Sequence, residues 1–181
     1  DSPRLPEQIL RDPQASPPAE ELLFELAGPR AELYFDPKQT RAGIVTCGGL
    51  CPGINDVIRS DTKTLFYRYG VKEIIGVKNG LRGLNPATGH EFINLTPELV
   101  DDITSIGGSI LSTSRGPQDV NVMVDYLARL NINILFCVGG DGTMRAVSQI
   151  ANLINEKNLK IAIVGIPKTI DNDLDLIQKS F

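Results

Sequence analysis

The sequence predicts a doubly wound α/β fold with a mostly parallel sheet. Short apolar segments alternate with amphipathic segments, and several apolar segments end in glycine-rich turns. Residues 132–138 indicate a buried strand, residues 139–143 a glycine turn, and residues 144–156 a helix. The apolar positions of that helix recur at i, i+3, i+4 and i+7, at Val147, Ile150, Ala151 and Ile154.

The composition restricts the classes of function. The chain has 181 residues, which is enough for one domain with a hydrophobic core, and its net charge is -4. This mild acidity argues against a nucleic-acid-binding surface, which needs a basic face. No apolar segment reaches the length of a membrane span and no signal peptide is visible, so we expect a soluble protein in a reducing compartment.

The cysteines predict neither a disulfide framework nor a zinc site. Cys47, Cys51 and Cys137 are few and lie in apolar surroundings. Cys47 and Cys51 have the spacing C-x3-C, but no second ligand pair accompanies them, and His90 is the single histidine.

Residues 1–40 are rich in proline and acidic side chains, and we interpret them as an N-terminal extension of a domain at 41–181. Residues 20–26 predict a short helix, because three leucines share a face. A targeting role is the alternative for this extension.

The domain begins with a predicted strand at 42–47, a glycine turn at 48–53 and a helix at 54–69. The turn suits an anion, although glycine at a strand–helix crossover also serves packing alone. The chain then predicts a strand at 72–77, a helix at 97–103 after an N-cap at Thr96, a strand at 107–111 and a helix at 120–130.

Arg115 lies between those last two elements in a turn of hydroxyl residues and glycine. A guanidinium in such a turn suits bidentate phosphate binding, and a surface charge is the alternative. A final strand at 160–166 runs into Pro167-Lys168-Thr169-Ile170-Asp171-Asn172-Asp173. These closely spaced carboxylates suit a metal or phosphate site, and a solvated acidic turn is the alternative.

The turn at 139–143 has the features of a phosphate-binding site. Glycines let backbone N–H groups approach an anion without a Cβ in between, and a helix N-terminus adds donors and a partial positive charge. Because a bare carboxylate repels phosphates, we expect Asp141 to bind Mg²⁺. Four such loops follow predicted strands, and a parallel sheet would direct them all to one cleft.

From residue 43 onward the chain resembles the phosphofructokinase family. The resemblance rests on four motifs in order: Gly48-Gly49-Leu50-Cys51-Pro52-Gly53-Ile54-Asn55, Ser114-Arg115-Gly116, Gly139-Gly140-Asp141-Gly142-Thr143, and Pro167-Lys168-Thr169-Ile170-Asp171-Asn172-Asp173. The last motif and the long extension are similar to the ATP-dependent branch found in plants and kinetoplastids. The resemblance implies a Rossmann-like nucleotide-binding domain whose second domain is missing from this chain.

The family's residue roles transfer onto matching positions. The resemblance implies that the donor nucleotide contacts Gly49, Arg115, Gly116, Gly140, Asp141, Gly142 and Thr143. It implies that Asp141 binds Mg²⁺ and that Asp171 is the general base. It also implies that the substrate is bound by Thr169, Ile170, Asp171 and Asp173. Of these, Thr169 and Asp173 would contact the sugar phosphate, the transferring phosphoryl group or its metal.

Within the family, two residues bear on whether the phosphoryl donor is ATP or pyrophosphate. Glycine at position 142 goes with ATP, because an aspartate there accompanies pyrophosphate use. Lys168 argues the other way, since a lysine before Thr-Ile-Asp is common among pyrophosphate-dependent enzymes. The plant and kinetoplastid branch carries both features, so the resemblance favours ATP.

The implied reaction is phosphorylation of the 1-hydroxyl of fructose 6-phosphate by ATP with Mg²⁺, in a homo-oligomer, a tetramer by resemblance. A pyrophosphate-dependent phosphofructokinase, a kinase acting on NAD or a lipid, and a nucleotide-binding fragment without catalysis are the alternatives. We expect no nucleic-acid or membrane partner, and a cytoplasmic location, with glycosome or plastid as alternatives. The sugar-phosphate motifs that follow in the family are absent, so we expect this piece alone to be inactive.

Overall fold

The computed structural model describes residues 28, 30–89 and 91–171, together with two short strands, β1 (Arg4–Pro6) and β2 (Leu23–Glu25). The chain divides into two compact units, Asp1–Tyr34 and Phe35–Phe181. In the first unit, β1 and β2 pair antiparallel. The helix predicted at 20–26 is therefore wrong at Leu23–Glu25, where cross-strand hydrogen bonds override a weak helical pattern.

The second unit is built on a five-stranded sheet. Its strands are β3 (Arg41–Thr46), β4 (Glu73–Val77), β5 (Phe92–Asn94), β6 (Ile134–Gly139) and β7 (Ala162–Pro167). The order across the sheet is β5-β4-β3-β6-β7, and every neighbouring pair is parallel except β4 and β5. This arrangement confirms the mostly parallel sheet, and the four strands predicted at its parallel positions lie within two residues of their expected bounds.

Three α-helices connect these strands: α1 (Ile54–Lys63), α2 (Val120–Arg129) and α3 (Asp141–Glu156). Helix α1 continues as a π-helical segment, Thr64–Tyr69, which ends at Gly70 in a left-handed conformation. Single 3₁₀ turns lie at Pro37–Gln39, Gly80–Leu84, Pro86–Thr88 and Ile103–Ser105. Among the described residues, no helix is both long and apolar enough to cross a membrane.

Hydrophobic side chains cover both faces of the sheet. Along β3 the side chains alternate, so that Ile44 belongs to the cluster under α1 and Val45 to the cluster under α2 and α3. Ile54 and Ile58 of α1 are fully buried against the first face, and Ile150 of α3 against the second. Helices on both faces of a mostly parallel sheet confirm the doubly wound fold.

The helix predicted at 97–103 is wrong. The structure has turns there, followed by the 3₁₀ turn Ile103–Ser105. The predicted N-cap does form locally, since Thr96 Oγ1 accepts a hydrogen bond from the backbone N–H of Leu99 at 3.2 Å. The backbone then changes from one i to i+4 bond, from the Val100 N–H to the Thr96 carbonyl at 3.2 Å, to an i to i+3 bond from the Asp101 N–H to the Glu98 carbonyl at 3.3 Å, so the turns do not continue as an α-helix.

The strand predicted at 107–111 is also wrong. Gly108 has a left-handed backbone with φ of +81°, which breaks an extended chain. The N–H of Ile110 instead donates to Asn55 Oδ1 of α1, and the Leu111 carbonyl accepts from the N–H of Asn79 in the loop after β4. Its apolar pattern reflects burial of Leu111, which packs under Gly76 of β4.

The sheet has a switch point between β3 and β6. These strands are parallel neighbours, with Thr46 opposite Val138 at their carboxyl ends. After β3 the chain continues to one side of the sheet, and after β6 it continues to the other, so the following helices lie on opposite faces. Ligands of open α/β sheets bind in the crevice that such a divergence opens.

Candidate active site

A cavity of ≈ 450 Å³ lies at this switch point. It is lined by the turn after β3, by the loop before α2 and by the first two turns of α3. Gly49, Arg115, Gly116, Gly140 and Gly142 are among its lining residues. Each of the four motifs therefore contributes a lining residue, as the sequence predicts for a parallel sheet, although the last motif contributes only Lys168.

The turn after β3 is fixed by its backbone. The N–H of Cys47 donates to the Val138 carbonyl of β6 at 2.8 Å, which extends the sheet by one bond beyond the strand. Gly48 then takes φ of +76°, and its N–H donates to the Ser114 carbonyl at 3.2 Å. The turn and the loop carrying Arg115 are thus joined directly.

Arg115 lies exposed at the cavity rim, and its guanidinium approaches Gly49. A Cβ placed on Gly49 would lie 3.4 Å from Arg115 Nη2, which is a tight contact. Glycine at this position therefore gives the guanidinium room to lie beside the turn. The described residues give Arg115 no acidic partner. A cationic side chain with free donors beside a glycine turn is suited to phosphate.

The turn after β6 is shorter than predicted, because α3 begins at Asp141 rather than Met144. Gly140 is the N-cap residue, and no side chain caps the helix. Thr143 is buried and packs so closely on Gly139 that a Cβ at Gly139 would overlap its side chain. The N–H groups of Thr143 and Met144 donate to the Gly140 carbonyl, so the first turn of α3 leaves the N–H groups of Asp141 and Gly142 for an anion.

Asp141 and Gly142 face the cavity differently. Asp141 is not among the lining residues, and its Oδ2 lies 2.6 Å from Arg145 Nη2 in an exposed ion pair. Gly142 does line the cavity, and a Cβ there would meet no atom within 4 Å. The predicted metal ligand therefore lies at the edge of the site, next to an open position.

Lys168 is buried at the end of β7 and lines the same cavity. Its Nζ donates to the Gly49 carbonyl at 2.5 Å, and its backbone N–H donates to the Gly139 carbonyl at 2.9 Å. The residue thus joins the ends of β7 and β6 to the turn after β3. The sequence singled out Lys168 for donor choice, and the structure adds this bridging role.

The loop predicted to hold the sugar phosphate is described only in part. Thr169, Ile170 and Asp171 are not among the residues that line the cavity, and Ile170 is 69% exposed. Asp173 lies outside the described residues. The cavity is therefore built from the nucleotide-side motifs, and the roles given to 169–173 stay predictions.

Sequence reasoning missed the stripe of α3 that lines the cavity beyond Gly142. Arg145, Ala146 and Gln149 follow Gly142 at helical spacing on one face. The sequence did contain a signal for these residues, because the positions of α3 assigned to the core lie on one face and leave the opposite face of the helix for a site. Leu81 and Met123, which line the apolar wall, carried no motif and could be placed only by the fold.

The three cysteines are buried and form no disulfide among the described residues. Burial raises the pKa of Cys47 to about 11, against smaller opposite effects from a hydrogen bond to Leu81, the Thr143 hydroxyl and the Lys168 charge. Burial also raises the pKa of Cys51 and of Cys137. Neutral thiols are poor nucleophiles, so Cys47 lines the cavity without being a reactive group.

Comparison with protein families gives one match, to the phosphofructokinase model over residues 41–181. The chain belongs to the phosphofructokinase family.

Curated relatives of this phosphofructokinase chain are named ATP-dependent 6-phosphofructokinase. The protein from Borreliella burgdorferi is 55% identical over 90% of the chain, and that from Trypanosoma cruzi is 51% identical over 88%. A relative from Arabidopsis thaliana, ATP-dependent 6-phosphofructokinase 7, is 49% identical over 87%. The chain spans about a third of the length of these relatives, at 36%, 33% and 32%.

Solved phosphofructokinase structures share the fold. The Pichia pastoris enzyme in the T-state matches with a TM-score of 0.70 at 22% identity, over 89% of this chain and 19% of that one. A pyrophosphate-dependent phosphofructokinase from Marinobacter aquaeolei matches with a TM-score of 0.66 at 19% identity, over 75% of this chain and 35% of that one. Both groups indicated by the resemblance, plants and kinetoplastids, occur among the curated relatives.

Proposed function

We propose that this chain forms the nucleotide-binding part of an ATP-dependent 6-phosphofructokinase. The enzyme would transfer the terminal phosphoryl group of ATP to the 1-hydroxyl of fructose 6-phosphate. One observation carries the proposal: loops from three distant parts of the sequence, each suited to phosphate, line a single cavity at the switch point of the sheet. The names of the curated relatives support the same reaction.

Gly142 supports ATP as the donor. It lines the cavity and leaves open space where a side chain would stand. An aspartate at this position would set a negative charge against an additional phosphate. Lys168 also lines the cavity, and its ammonium group keeps two further N–H donors beside the one that binds the Gly49 carbonyl, so the choice of ATP rests on Gly142.

The site suits a magnesium ion held mainly by the nucleotide. Mg²⁺ is commonly bound by one or two carboxylates together with substrate phosphates and water. Asp141 supplies an exposed carboxylate beside Gly142, and it would hold the ion. When bound, the ion would neutralise charge on the phosphate oxygens.

The remaining steps belong to the protein's own groups. Arg115 and the N–H groups at the start of α3 would bind the phosphate oxygens and stabilise the charge that develops there. Asp171 would accept the proton of the 1-hydroxyl as its oxygen attacks the terminal phosphorus in line. Phosphoryl transfer needs positioning and charge neutralisation more than covalent chemistry, which this set of groups supplies.

A chimera tests the complete reaction. Residues 41–181 of this chain would replace the matching segment of the Borreliella burgdorferi relative. We expect the chimera to phosphorylate fructose 6-phosphate with ATP, and Asp171→Asn to abolish turnover while leaving ATP binding unchanged. Faster turnover with pyrophosphate, or with NAD as acceptor, would contradict the proposal, and so would full activity of the Asp171→Asn variant.

The homotetramer and the cytoplasmic location implied by the resemblance stay proposals. Sedimentation of the same chimera would measure its mass in solution. A monomer would contradict the proposed assembly without affecting the proposed chemistry.

A further inference from the structure

The segment from Ile103 to Gly116 lies beside the cavity and presents Ser114, Arg115 and Gly116 to it. Beyond its initial 3₁₀ turn, this segment has no regular secondary structure. Its backbone polar groups must therefore find partners elsewhere, since buried N–H and C=O groups are costly when unpaired.

Asn55 supplies three of those partners with one side chain. Its Nδ2 donates to the carbonyls of Ile103 at 3.1 Å and Ile106 at 2.8 Å, and its Oδ1 accepts from the N–H of Ile110 at 3.0 Å. The side chain is 3% exposed and stands at the second position of α1. One buried amide thus holds the first half of the segment, from Ile103 to Ile110, in place.

Thr46 holds the same segment further along. This last residue of β3 is fully buried, and its Oγ1 donates to the Ser112 carbonyl at 2.7 Å and lies 2.8 Å from Ser109 Oγ. The N–H of Gly48, two residues later, donates to the Ser114 carbonyl. β3, the turn after it and α1 therefore hold the loop that carries Arg115 by hydrogen bonds. The same three elements form one of the phosphate-suited turns.

We propose that Asn55 and Thr46 are positioning residues that set Arg115 for binding the nucleotide phosphates. Neither side chain lines the cavity, so each acts through the loop. Loss of the Asn55 side chain removes the described donor to the Ile106 carbonyl and the acceptor of the Ile110 N–H, and loss of the Thr46 hydroxyl removes the described donor to the Ser112 carbonyl. We expect the loop to shift so that these groups find other partners. The inference rests on the proposed function and deepens it, because it makes phosphate affinity depend on a buried polar network outside the cavity.

The test measures the dissociation constant of ATP with Mg²⁺ for the 181-residue chain by calorimetry. Asn55→Ala removes three bonds, and Thr46→Val removes the hydroxyl while keeping the shape. Thr46→Ser keeps the hydroxyl and is the matched rescue. We expect Asn55→Ala and Thr46→Val each to weaken binding about ten-fold, and Thr46→Ser to bind within about two-fold of the unsubstituted chain.

A double-mutant cycle separates positioning from general loss of stability. If Asn55 acts through Arg115, Asn55→Ala added to Arg115→Ala weakens binding by no more than about two-fold beyond Arg115→Ala alone. Thr62→Ala is the stability control, because Thr62 is fully buried on the same helix and makes no hydrogen bond to the loop. It should lower the melting temperature and leave the dissociation constant unchanged.

Three results would overturn the inference. They are additive effects in the cycle, equal weakening by Thr62→Ala, and Thr46→Val binding as tightly as Thr46→Ser. If Asn55→Ala does not fold, the Thr46 pair decides the question alone. A folded chain that binds no ATP would overturn the proposed function and this inference together, whereas ATP binding unchanged by Asn55→Ala and Thr46→Val overturns the inference alone.

Discussion

Two neighbouring residues at the start of α3, Asp141 and Gly142, differ in how they face the cavity. Gly142 lines it with open space above its Cα, while Asp141 points to an exposed ion pair with Arg145. We propose that Gly142 controls which donor fits and that Asp141 binds the metal that accompanies it. Single substitutions separate these two roles.

Gly142→Asp should fold normally and lose ATP affinity. The new side chain meets no atom within 4 Å, and an acidic residue in the first turn of a helix is favourable. Its charge would face the phosphates, so we expect calorimetry to show at least about ten-fold weaker ATP binding. Asn94→Asp adds the same charge at an exposed position of β5 and should leave ATP binding unchanged. Equal ATP affinities of the unsubstituted chain, Gly142→Asp and Asn94→Asp would contradict the role of Gly142.

Asp141→Asn should remove the effect of Mg²⁺ on ATP binding. The substitution breaks an exposed ion pair worth about 0.5 kcal/mol, so the free energy of unfolding should hardly change. The dissociation constant of ATP would then be the same with Mg²⁺ as with a chelator. Asp125→Asn breaks a comparable exposed pair with Lys157 at 2.6 Å and should keep the Mg²⁺ dependence; a Mg²⁺ effect that survives in Asp141→Asn would assign the metal to another group.

At the scale of elements, the sequence predicts best where the apolar pattern of a helix or strand is unbroken. β3, β6, β7, α2 and α3 all lie within three residues of their predicted bounds, because an unbroken apolar pattern is a local signal. The segment between β5 and α2 was predicted wrongly for the opposite reason. Its conformation depends on Asn55, whose partner Ile103 lies 48 residues away in sequence.

Contacts between residues far apart in sequence also limit how much of the site can be predicted. Motifs placed Gly49, Arg115 and Gly142 at one cavity, because glycine turns at strand ends are visible in sequence. The bridge from Lys168 to the Gly49 carbonyl spans 119 residues and has no local signature. Contacts of this kind follow from the strand order β3-β6-β7, which a sequence pattern does not specify.

Helix α1 carries a buried carboxylate that makes stability depend on pH. Burial raises the pKa of Asp61 from 3.8 to about 6, and its Oδ2 has no hydrogen-bond partner among the described residues. A raised pKa means that the folded state holds the proton more tightly. The fold is therefore relatively favoured below pH 3.8, and this contribution is lost as the pH rises through about 6.

Asp61→Asn should stabilise the chain only where Asp61 is ionised. The pKa shift corresponds to a destabilisation of about 2–3 kcal/mol when Asp61 is ionised. Because burying the asparagine amide costs part of this, we expect the free energy of unfolding to rise by about 1–2 kcal/mol at neutral pH. Urea unfolding at neutral pH and near pH 4 measures the difference, which should vanish in acid. Asp56→Asn, at an exposed position of the same helix, should give no such gain; equal gains at both pH values would contradict the buried charge.

At the scale of the whole molecule, the proposed function makes this chain the nucleotide side of a site for two substrates. It matches about a third of the length of its curated relatives, and the described cavity belongs to the nucleotide motifs. We therefore predict that the purified 181-residue chain binds ATP without phosphorylating fructose 6-phosphate. A coupled assay measures this directly, and product formation that depends on both substrates would contradict it.

The most direct test of the account compares two ligands on the folded chain. Calorimetry would give the dissociation constants of ATP and of pyrophosphate, each with Mg²⁺, for the unsubstituted chain and for Arg115→Ala. We predict that ATP binds more tightly than pyrophosphate and that Arg115→Ala weakens ATP binding about ten-fold. Tighter binding of pyrophosphate, or ATP binding that is indifferent to Arg115, would contradict a nucleotide site at the switch point of the sheet.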